Sequence, residues 1–72
     1  MSVDTTLKVR INGEHRRVAD GISVAALIAE LGLDAKRVAI ERNLEIVPRS
    51  TFAVAPVEDG DNFEIVHFVG GG

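Results

Sequence analysis

The chain opens with two segments whose polarity pattern predicts a β-hairpin. Leu7, Val9 and Ile11 alternate with charged residues, and a period of two is typical of a strand with one buried face. Asn12-Gly13 follows at once, and this dipeptide favours a type I′ turn, in which both central residues need positive φ. The partner strand is predicted from Glu14 to Val18 or Ala19. Because it is rich in polar residues, we expect it near a sheet edge with one wet face.

The next segment predicts one amphipathic helix. Its apolar stripe has the spacing i, i+3, i+4 and i+7 and consists of Val24, Leu27, Ile28 and Leu31. Ser23 precedes the stripe as a candidate N-cap, and Gly32 fits the left-handed position that ends many helices. The sequence therefore predicts a helix over residues 23 to 31, and its stripe must pack on a sheet.

The second half of the chain predicts more strands and no further long helix. We expect a loop over Leu33 to Arg37, a strand from Val38 through Ile40 toward Arg42, and a turn at Asn43. A short strand at Ile46-Val47 follows and is stopped by Pro48, and Arg49 to Val57 should form an irregular cover with one helical turn. A tight turn at Asp59-Gly60 then leads to the last strand, from Phe63 to Val69. A hairpin, one helix and further strands indicate an α+β domain with the helix on one sheet face. The other face, which carries Lys8 and Arg10, must stay wet or meet a partner.

Length and composition narrow the function classes. A chain of 72 residues forms one domain, and its small core leaves little room for an internal active site, which favours a binding or carrier module. The net charge of −3 and the absence of Trp and Tyr argue against a nucleic-acid surface. With no Cys, a disulfide framework and a thiolate metal site are excluded. No apolar run approaches membrane-spanning length, so we expect a cytoplasmic protein without a membrane partner.

Two features near the carboxyl terminus are candidate functional elements. Gly70-Gly71-Gly72 predicts a mobile thread, since glycine gives up packing for conformational freedom; the alternative is a frayed end. In the last strand, alternation places Phe63 and Ile65 toward the helix and Val66 and Phe68 on the open face. Exposed large apolar side chains often mark a partner site, so we predict that Val66 and Phe68 bind a partner. The alternative is that Phe68 packs locally.

The remaining polar candidates favour structural interpretations. His15 and His67 are expected at solvent or edge positions, and two His without an arranged carboxylate do not make a metal site. Asp59 and Asp61 flank a glycine without the spacing of a calcium loop, which predicts turn residues. A basic strip on the hairpin consists of Lys8, Arg10, Arg16 and Arg17. A solvated face is the preferred interpretation of this strip, and docking to an acidic partner is the alternative.

The sequence also resembles a known family, most sharply from residue 39 onward. The matching features, in order, are Asn43, Ile46-Val47-Pro48-Arg49, Gly60-Asp61, Ile65-Val66 and the closing Gly71-Gly72. They resemble the ThiS sulfur carriers of thiamin biosynthesis, which have the ubiquitin-like β-grasp fold. Phe52 stands where that family often has Trp, and Gly70 adds a third glycine to the tail. MoaD-type carriers of molybdopterin synthesis share the fold and the tail, but the Ile-Val-Pro-Arg run favours ThiS.

The resemblance implies a fold and a mechanism. We expect a single β-grasp domain over residues 1–72, with a mixed sheet of four to five strands on one main helix and a flexible tail at 70–72. A ThiF-like adenylating enzyme would use ATP to convert the Gly72 carboxylate to an acyl-adenylate. A sulfur donor protein would then give a thiocarboxylate, from which a ThiG-like thiazole synthase takes sulfur. The chain would be a co-substrate with no catalytic residue, metal or bound cofactor of its own. The alternatives are a MoaD-like carrier, a ubiquitin-like protein modifier and an interaction module with an inert tail.

Overall fold

The computed structural model describes residues 6–69 and has five strands and one α-helix. The elements are β1 (Thr6–Ile11), β2 (Glu14–Ala19), α1 (Val24–Glu30), a 3₁₀ turn (Ala35–Arg37), β3 (Val38–Arg42), β4 (Glu45–Ile46), a second 3₁₀ turn (Arg49–Thr51) and β5 (Asn62–His67). The prediction of a mixed sheet with one main helix is confirmed. The predicted tail, residues 70–72, lies outside the described residues.

The strands form one sheet in the order β2-β1-β5-β3-β4. β1 and β5 are parallel, whereas the β1–β2, β3–β4 and β3–β5 pairs are antiparallel. β2 and β3, which α1 connects, therefore run in the same direction with two strands between them, as the crossover pattern indicates. β5, the last strand, occupies the centre of the sheet.

The predicted hairpin and its edge position are confirmed. Asn12 and Gly13 have φ of 51° and 84°, which are the positive values that a type I′ turn requires. Within residues 6–69, β2 pairs with β1 at one end of the strand order and so forms an edge. Its exposed residues outnumber its one buried residue, Val18, because none of the described strands lies on its other side.

Helix α1 begins and ends as its sequence predicts. The Ser23 Oγ accepts a hydrogen bond from the Ala26 N–H at 3.1 Å, which satisfies one free donor of the first turn. At the other end, the Gly32 N–H donates to the Ala29 carbonyl and the Leu33 N–H to the Ile28 carbonyl, at 3.0 and 3.1 Å. With φ of 74° at Gly32, this pair of bonds is a Schellman motif.

The apolar stripe of α1 packs on the inner face of the sheet and forms one core. The buried residues of this core are Val9, Ile11, Val18, Val24, Leu27, Ile28, Val38, Ile40, Val47, Phe52, Val57, Phe63 and Ile65. They include Val9 of the alternating first segment, Leu27 and Ile28 of the stripe, and Ile65 of the last strand, as the sequence predicts. Phe52 is buried, so the position where the family often has Trp is a core position here.

Three local boundaries differ from the sequence prediction. The segment predicted as a loop contains the 3₁₀ turn Ala35–Arg37, which the Asp34 carboxylate caps by accepting from the Lys36 N–H at 2.9 Å. β4 comprises Glu45–Ile46 rather than Ile46-Val47, although the Val47 N–H still donates to the Ile40 carbonyl at 2.8 Å. β5 ends at His67 rather than Val69, since its partner β3 begins at Val38, the residue paired with His67.

Candidate docking face and carboxyl-terminal strand

The open face of the sheet carries the side chains that point away from α1. On β5 these are Glu64 and Val66, which lie opposite Glu41 and Ala39 of β3. Phe63 and Ile65 point into the core. The alternation predicted from the sequence is therefore confirmed, and Val66 keeps 57% of its surface exposed.

Phe68 follows β5 and remains attached to the sheet by its backbone. Its N–H donates to the Arg37 carbonyl at 2.7 Å, which continues the β3–β5 pairing by one bond. The Phe68 side chain is 52% exposed, so it is not folded into the core. The structure thus presents Val66 and Phe68 on the surface at the point where the chain leaves the sheet, and partner binding by these two residues stays a prediction.

Asn12 fixes the position of β5, a role that the hairpin signal alone does not indicate. Its Oδ1 accepts from the Ile65 N–H at 2.7 Å and its Nδ2 donates to the Ile65 carbonyl at 3.1 Å. The Asn12 N–H also donates to the Phe63 carbonyl at 2.9 Å. The side-chain amide acts as an additional peptide group and extends the short parallel pairing of β1 with β5.

Asp61 closes the predicted turn, since its N–H donates to the Glu58 carbonyl at 3.1 Å, and its side chain is also buried in a hydrogen-bond network. It is 6% exposed and accepts from the Glu58 N–H at 2.9 Å and from the Asn43 Nδ2 at 3.2 Å. The Arg42 guanidinium lies 3.8 Å from its carboxylate. Asn43 in turn accepts from the Asn62 N–H at 3.0 Å. A buried carboxylate needs such partners, and this network holds the start of β5 to the end of β3.

Arg49 closes the β3 edge with its side chain. Its Nε donates to the Ala35 carbonyl at 3.0 Å and its Nη2 to the Val38 carbonyl at 3.0 Å. Pro48, which precedes it, has no N–H for a ladder bond, and β4 is too short to pair with this part of β3. Arg49 therefore replaces a strand partner, which gives the end of the Ile-Val-Pro-Arg run a structural role.

A shallow groove of about 320 Å³ lies beside this edge. Its lining is mostly apolar and includes Ala39, Ile46, Pro48 and Val66. The groove adjoins the exposed Val66 side chain and widens the apolar surface next to β5.

Neither the histidines nor the carboxylates of the described residues are grouped as a metal site. His15 and His67 are both exposed, as predicted, and residues 6–69 contain no group of three His, Asp or Glu side chains positioned for a metal ion. Within the same range, no helix has the length and hydropathy needed to cross a membrane. The chemically informative features are the open face and the strand that leads to the carboxyl terminus.

Comparison with known proteins agrees with the resemblance seen in the sequence. The ThiS family model matches residues 9–72. The sulfur carrier protein ThiS of Bacillus subtilis is 42% identical over 65 residues, which cover 89% of this chain and 98% of that protein. A thiazole synthase of Paramagnetospirillum magneticum is 54% identical over 66 residues. The chain spans about a fifth of the length of that synthase, since the match covers 92% of this chain but 20% of the relative.

A solved structure supports the same assignment. The crystal structure of the thiamine biosynthesis protein ThiS from Geobacter metallireducens superposes with a TM-score of 0.77 at 33% identity, covering 92% of this chain and all of that one. The family match extends over the hairpin, the helix, the Arg49 edge and the Asp61 network. On this evidence, the chain belongs to the ThiS family and has its β-grasp fold.

Proposed function

We propose that this chain is a sulfur carrier of thiamin biosynthesis, and that Gly72 carries the sulfur as a terminal thiocarboxylate. The observation that supports this most is the ThiS family match over residues 9–72, which includes the Gly71-Gly72 end. The Bacillus subtilis relative that bears the name sulfur carrier is covered almost completely by this chain. The chain would act as a co-substrate, and the catalytic side chains would belong to its partners.

The chemistry requires activation of the Gly72 carboxylate, because a carboxylate is a poor electrophile. A ThiF-like enzyme would transfer AMP from ATP to this carboxylate and release pyrophosphate. Hydrosulfide released by a sulfur donor protein would then attack the carbonyl and displace AMP, and loss of the S–H proton leaves the thiocarboxylate. Gly72 has no side chain to hinder attack, and three extended residues span at most about 10 Å. That reach would let the terminal carbonyl enter a partner site while the domain stays outside.

The thiazole synthase relatives favour a ThiG-like enzyme as the acceptor of the sulfur. In the Paramagnetospirillum magneticum protein, a segment 54% identical to this chain occurs within a polypeptide named thiazole synthase. A second such protein, from Magnetococcus marinus, is 36% identical over 66 residues, again 20% of its length. A carrier segment joined to the enzyme it serves would meet it at a high effective concentration. We infer that this carrier domain docks on a synthase of this type.

Docking would use Val66 and Phe68, the exposed apolar pair beside the carboxyl-terminal segment. Apolar and aromatic side chains concentrate at the centres of protein interfaces. Replacing Phe68 by Ala should weaken binding to the adenylating enzyme or the synthase by more than it lowers the stability of the domain. Calorimetric titration measures the first effect and thermal denaturation the second. Unchanged binding with a normal fold would show that Phe68 serves local packing alone.

The decisive experiment adds one bulky residue after Gly72. The added residue places an amide and a side chain where the free carboxylate should be, and it leaves the described core untouched. ATP–pyrophosphate exchange with the cognate adenylating enzyme should stop, and mass analysis should find no replacement of oxygen by sulfur. Full activity without trimming back to Gly72 would refute the mechanism. Conjugates on target lysines would instead indicate a ubiquitin-like modifier, and sulfur transfer to a molybdopterin precursor would indicate a MoaD-like carrier.

A further inference from the structure

The turn that joins β1 to β2 contains a chemically labile pair of residues. Asn12 is followed by Gly13, and both are exposed to water. The backbone nitrogen of a residue can attack the carboxamide carbon of a preceding asparagine, because the product is a five-membered ring with little strain. Glycine leaves that nitrogen most accessible, since it has no Cβ. Within residues 6–69 the Gly13 N–H has no hydrogen-bond acceptor, so no backbone contact restrains it.

The other asparagines of the chain lack this combination. Asn43 occupies the equivalent place in the β3–β4 turn and has the same φ of 51°. The residue after it is Leu44, whose branched side chain hinders attack by its own nitrogen. Asn62 precedes Phe63, which is fully buried. Ring closure is therefore least hindered at Asn12.

The fold holds the Asn12 carboxamide in a different contact. Its Oδ1 accepts from the Ile65 N–H at 2.7 Å and its Nδ2 donates to the Ile65 carbonyl at 3.1 Å. Both bonds require a planar carboxamide that faces β5. Attack by the Gly13 nitrogen makes Cγ tetrahedral and requires the two atoms to approach to about 3–3.5 Å. The two bonds to Ile65 cannot both survive that change, so the carboxamide must first leave β5.

We propose that Asn12 is a site of spontaneous deamidation, and that the detachment of its side chain from β5 sets the rate. The Gly13 nitrogen forms a bond to Cγ, the Cγ–Nδ2 bond breaks, and Nδ2 leaves as ammonia with the proton of the Gly13 N–H. Water then adds to either carbonyl of the cyclic imide and opens the ring. The products are aspartate and isoaspartate at position 12, and water is the only co-reactant.

The reaction removes the contact that restrains it. Aspartate lacks the Nδ2–H donor, so the Ile65 carbonyl faces a carboxylate oxygen. Isoaspartate also routes the main chain through Cγ, which lengthens the turn by one backbone atom. Each product weakens the attachment of β5, the strand that leads to the carboxyl terminus. Deamidation therefore limits the lifetime of the intact domain, and this inference does not depend on the proposed function.

The test incubates the full chain at constant temperature and pH in a series of urea concentrations below the unfolding midpoint. Peptide mass spectrometry follows the conversion of Asn12, and NMR hydrogen exchange follows the Ile65 amide. Because one opening event frees both groups, the logarithms of the two rates should rise with the same slope against urea. Asp20 and Asp59 also precede glycines, but their rearrangement leaves the mass unchanged and does not interfere.

The unfolded chain provides the reference rate. In water, the folded chain should deamidate at Asn12 at least about fivefold more slowly than the urea-unfolded chain, which is the least protection that two hydrogen bonds are expected to give. The deamidated fraction, which anion exchange separates by its added negative charge, should have a lower thermal midpoint than the unmodified fraction.

Gly13→Leu is the matched control, because it copies the natural Asn43-Leu44 turn. It keeps Asn12 and its acceptor and donor for Ile65 but hinders the attacking nitrogen. In the urea-unfolded state, where opening of β5 has no influence, this variant should deamidate at Asn12 more slowly than the wild type. Leu44→Gly is the reverse change, and in the same state it should make deamidation of Asn43 faster.

Each contrary outcome overturns a distinct part of the proposal. A deamidation rate that is independent of urea, while exchange of the Ile65 amide accelerates, would show that the reaction occurs in the intact turn. Equal rates in the folded and unfolded chains would have the same meaning. Faster deamidation at Asn43 or Asn62 than at Asn12 would refute the assignment of the site. An equal thermal midpoint for the deamidated fraction would show that the products do not loosen β5.

Discussion

The Asn12 side chain should contribute more to the attachment of β5 than its place in a hairpin turn indicates. Glycine in place of Asn12 also tolerates the positive φ of 51° at this position. The substitution removes the hydrogen bonds of 2.7 and 3.1 Å to the Ile65 peptide group. Each such bond contributes about 0.5–1.5 kcal/mol net. We therefore expect a loss of about 1–3 kcal/mol, which is roughly 4–24 °C in the thermal midpoint of a domain of this size.

Asn12→Asp is the matched variant that separates the two bonds. The Asp carboxylate can still accept from the Ile65 N–H, but it has no donor for the Ile65 carbonyl and places a second oxygen against it. The overall loss should be similar, whereas the fate of the Ile65 amide hydrogen should differ. In Asn12→Gly the Ile65 N–H loses its acceptor and should exchange faster with solvent, relative to the Ile40 amide of the same sheet. In Asn12→Asp, the exchange rate of the Ile65 amide relative to that of the Ile40 amide should stay near the wild-type value.

Amide hydrogen exchange measured by NMR, together with thermal denaturation followed by circular dichroism, provides both quantities. The reasoning fails if Asn12→Gly is as stable as the wild type, or if the Ile65 amide keeps its relative protection in that variant. Either result would mean that backbone pairing alone holds β5 beside β1. A loss confined to Asn12→Asp would point to charge repulsion instead of a lost amide contact.

Three further substitutions test the core, the sheet edge and a strained turn. Leu27→Ala should lower the free energy of unfolding, measured by urea denaturation, by about 2–5 kcal/mol, because Leu27 is fully buried in the core. A decrease below about 1 kcal/mol would contradict its central position. Arg49→Met should lower the free energy of unfolding by about 1–3 kcal/mol in the same assay, because it leaves the Ala35 and Val38 carbonyls without donors. Equal stability would show that water replaces the guanidinium. Leu44→Gly should be neutral or stabilising by up to about 1 kcal/mol, because Leu44 has φ of 71° and is 85% exposed; Leu44→Ala, the control, keeps the strain and should bring no gain in thermal midpoint.

The elements that the sequence predicts well are those whose signal is local. The Asn12-Gly13 turn depends on two adjacent residues, and α1 on a stripe flanked by its own cap at Ser23. The exposure of Val66 follows from alternation along a single strand. In each case, the residues that determine the conformation lie within one turn, one helix or one strand, so their order along the chain carries the information.

The features that escaped prediction depend on residues far apart in the chain. The Ile65 partner of Asn12 lies 53 positions away, and the partners of Asp61 include Asn43, 18 positions away. A flanking glycine correctly indicates that Asp61 belongs to a turn, but only the folded sheet brings Arg42 and Asn43 to it. The family pattern includes Asn43 and Gly60-Asp61 and so indicates that these positions matter. It carries no information about which residues they contact. The adenylation of Gly72 and the docking of Phe68 stay predictions.

The central position of β5 has a mechanical consequence. Because β1 lies on one side of β5 and β3 on the other, a pull on the segment that follows Val69 is directed along a strand held on both flanks. Such a load is shared as shear by several backbone hydrogen bonds at once and by the Asn12 amide, whereas an edge strand could be peeled away one bond at a time. If a partner holds the carboxyl-terminal residues, as proposed above, the domain would therefore resist the tension as a rigid anchor.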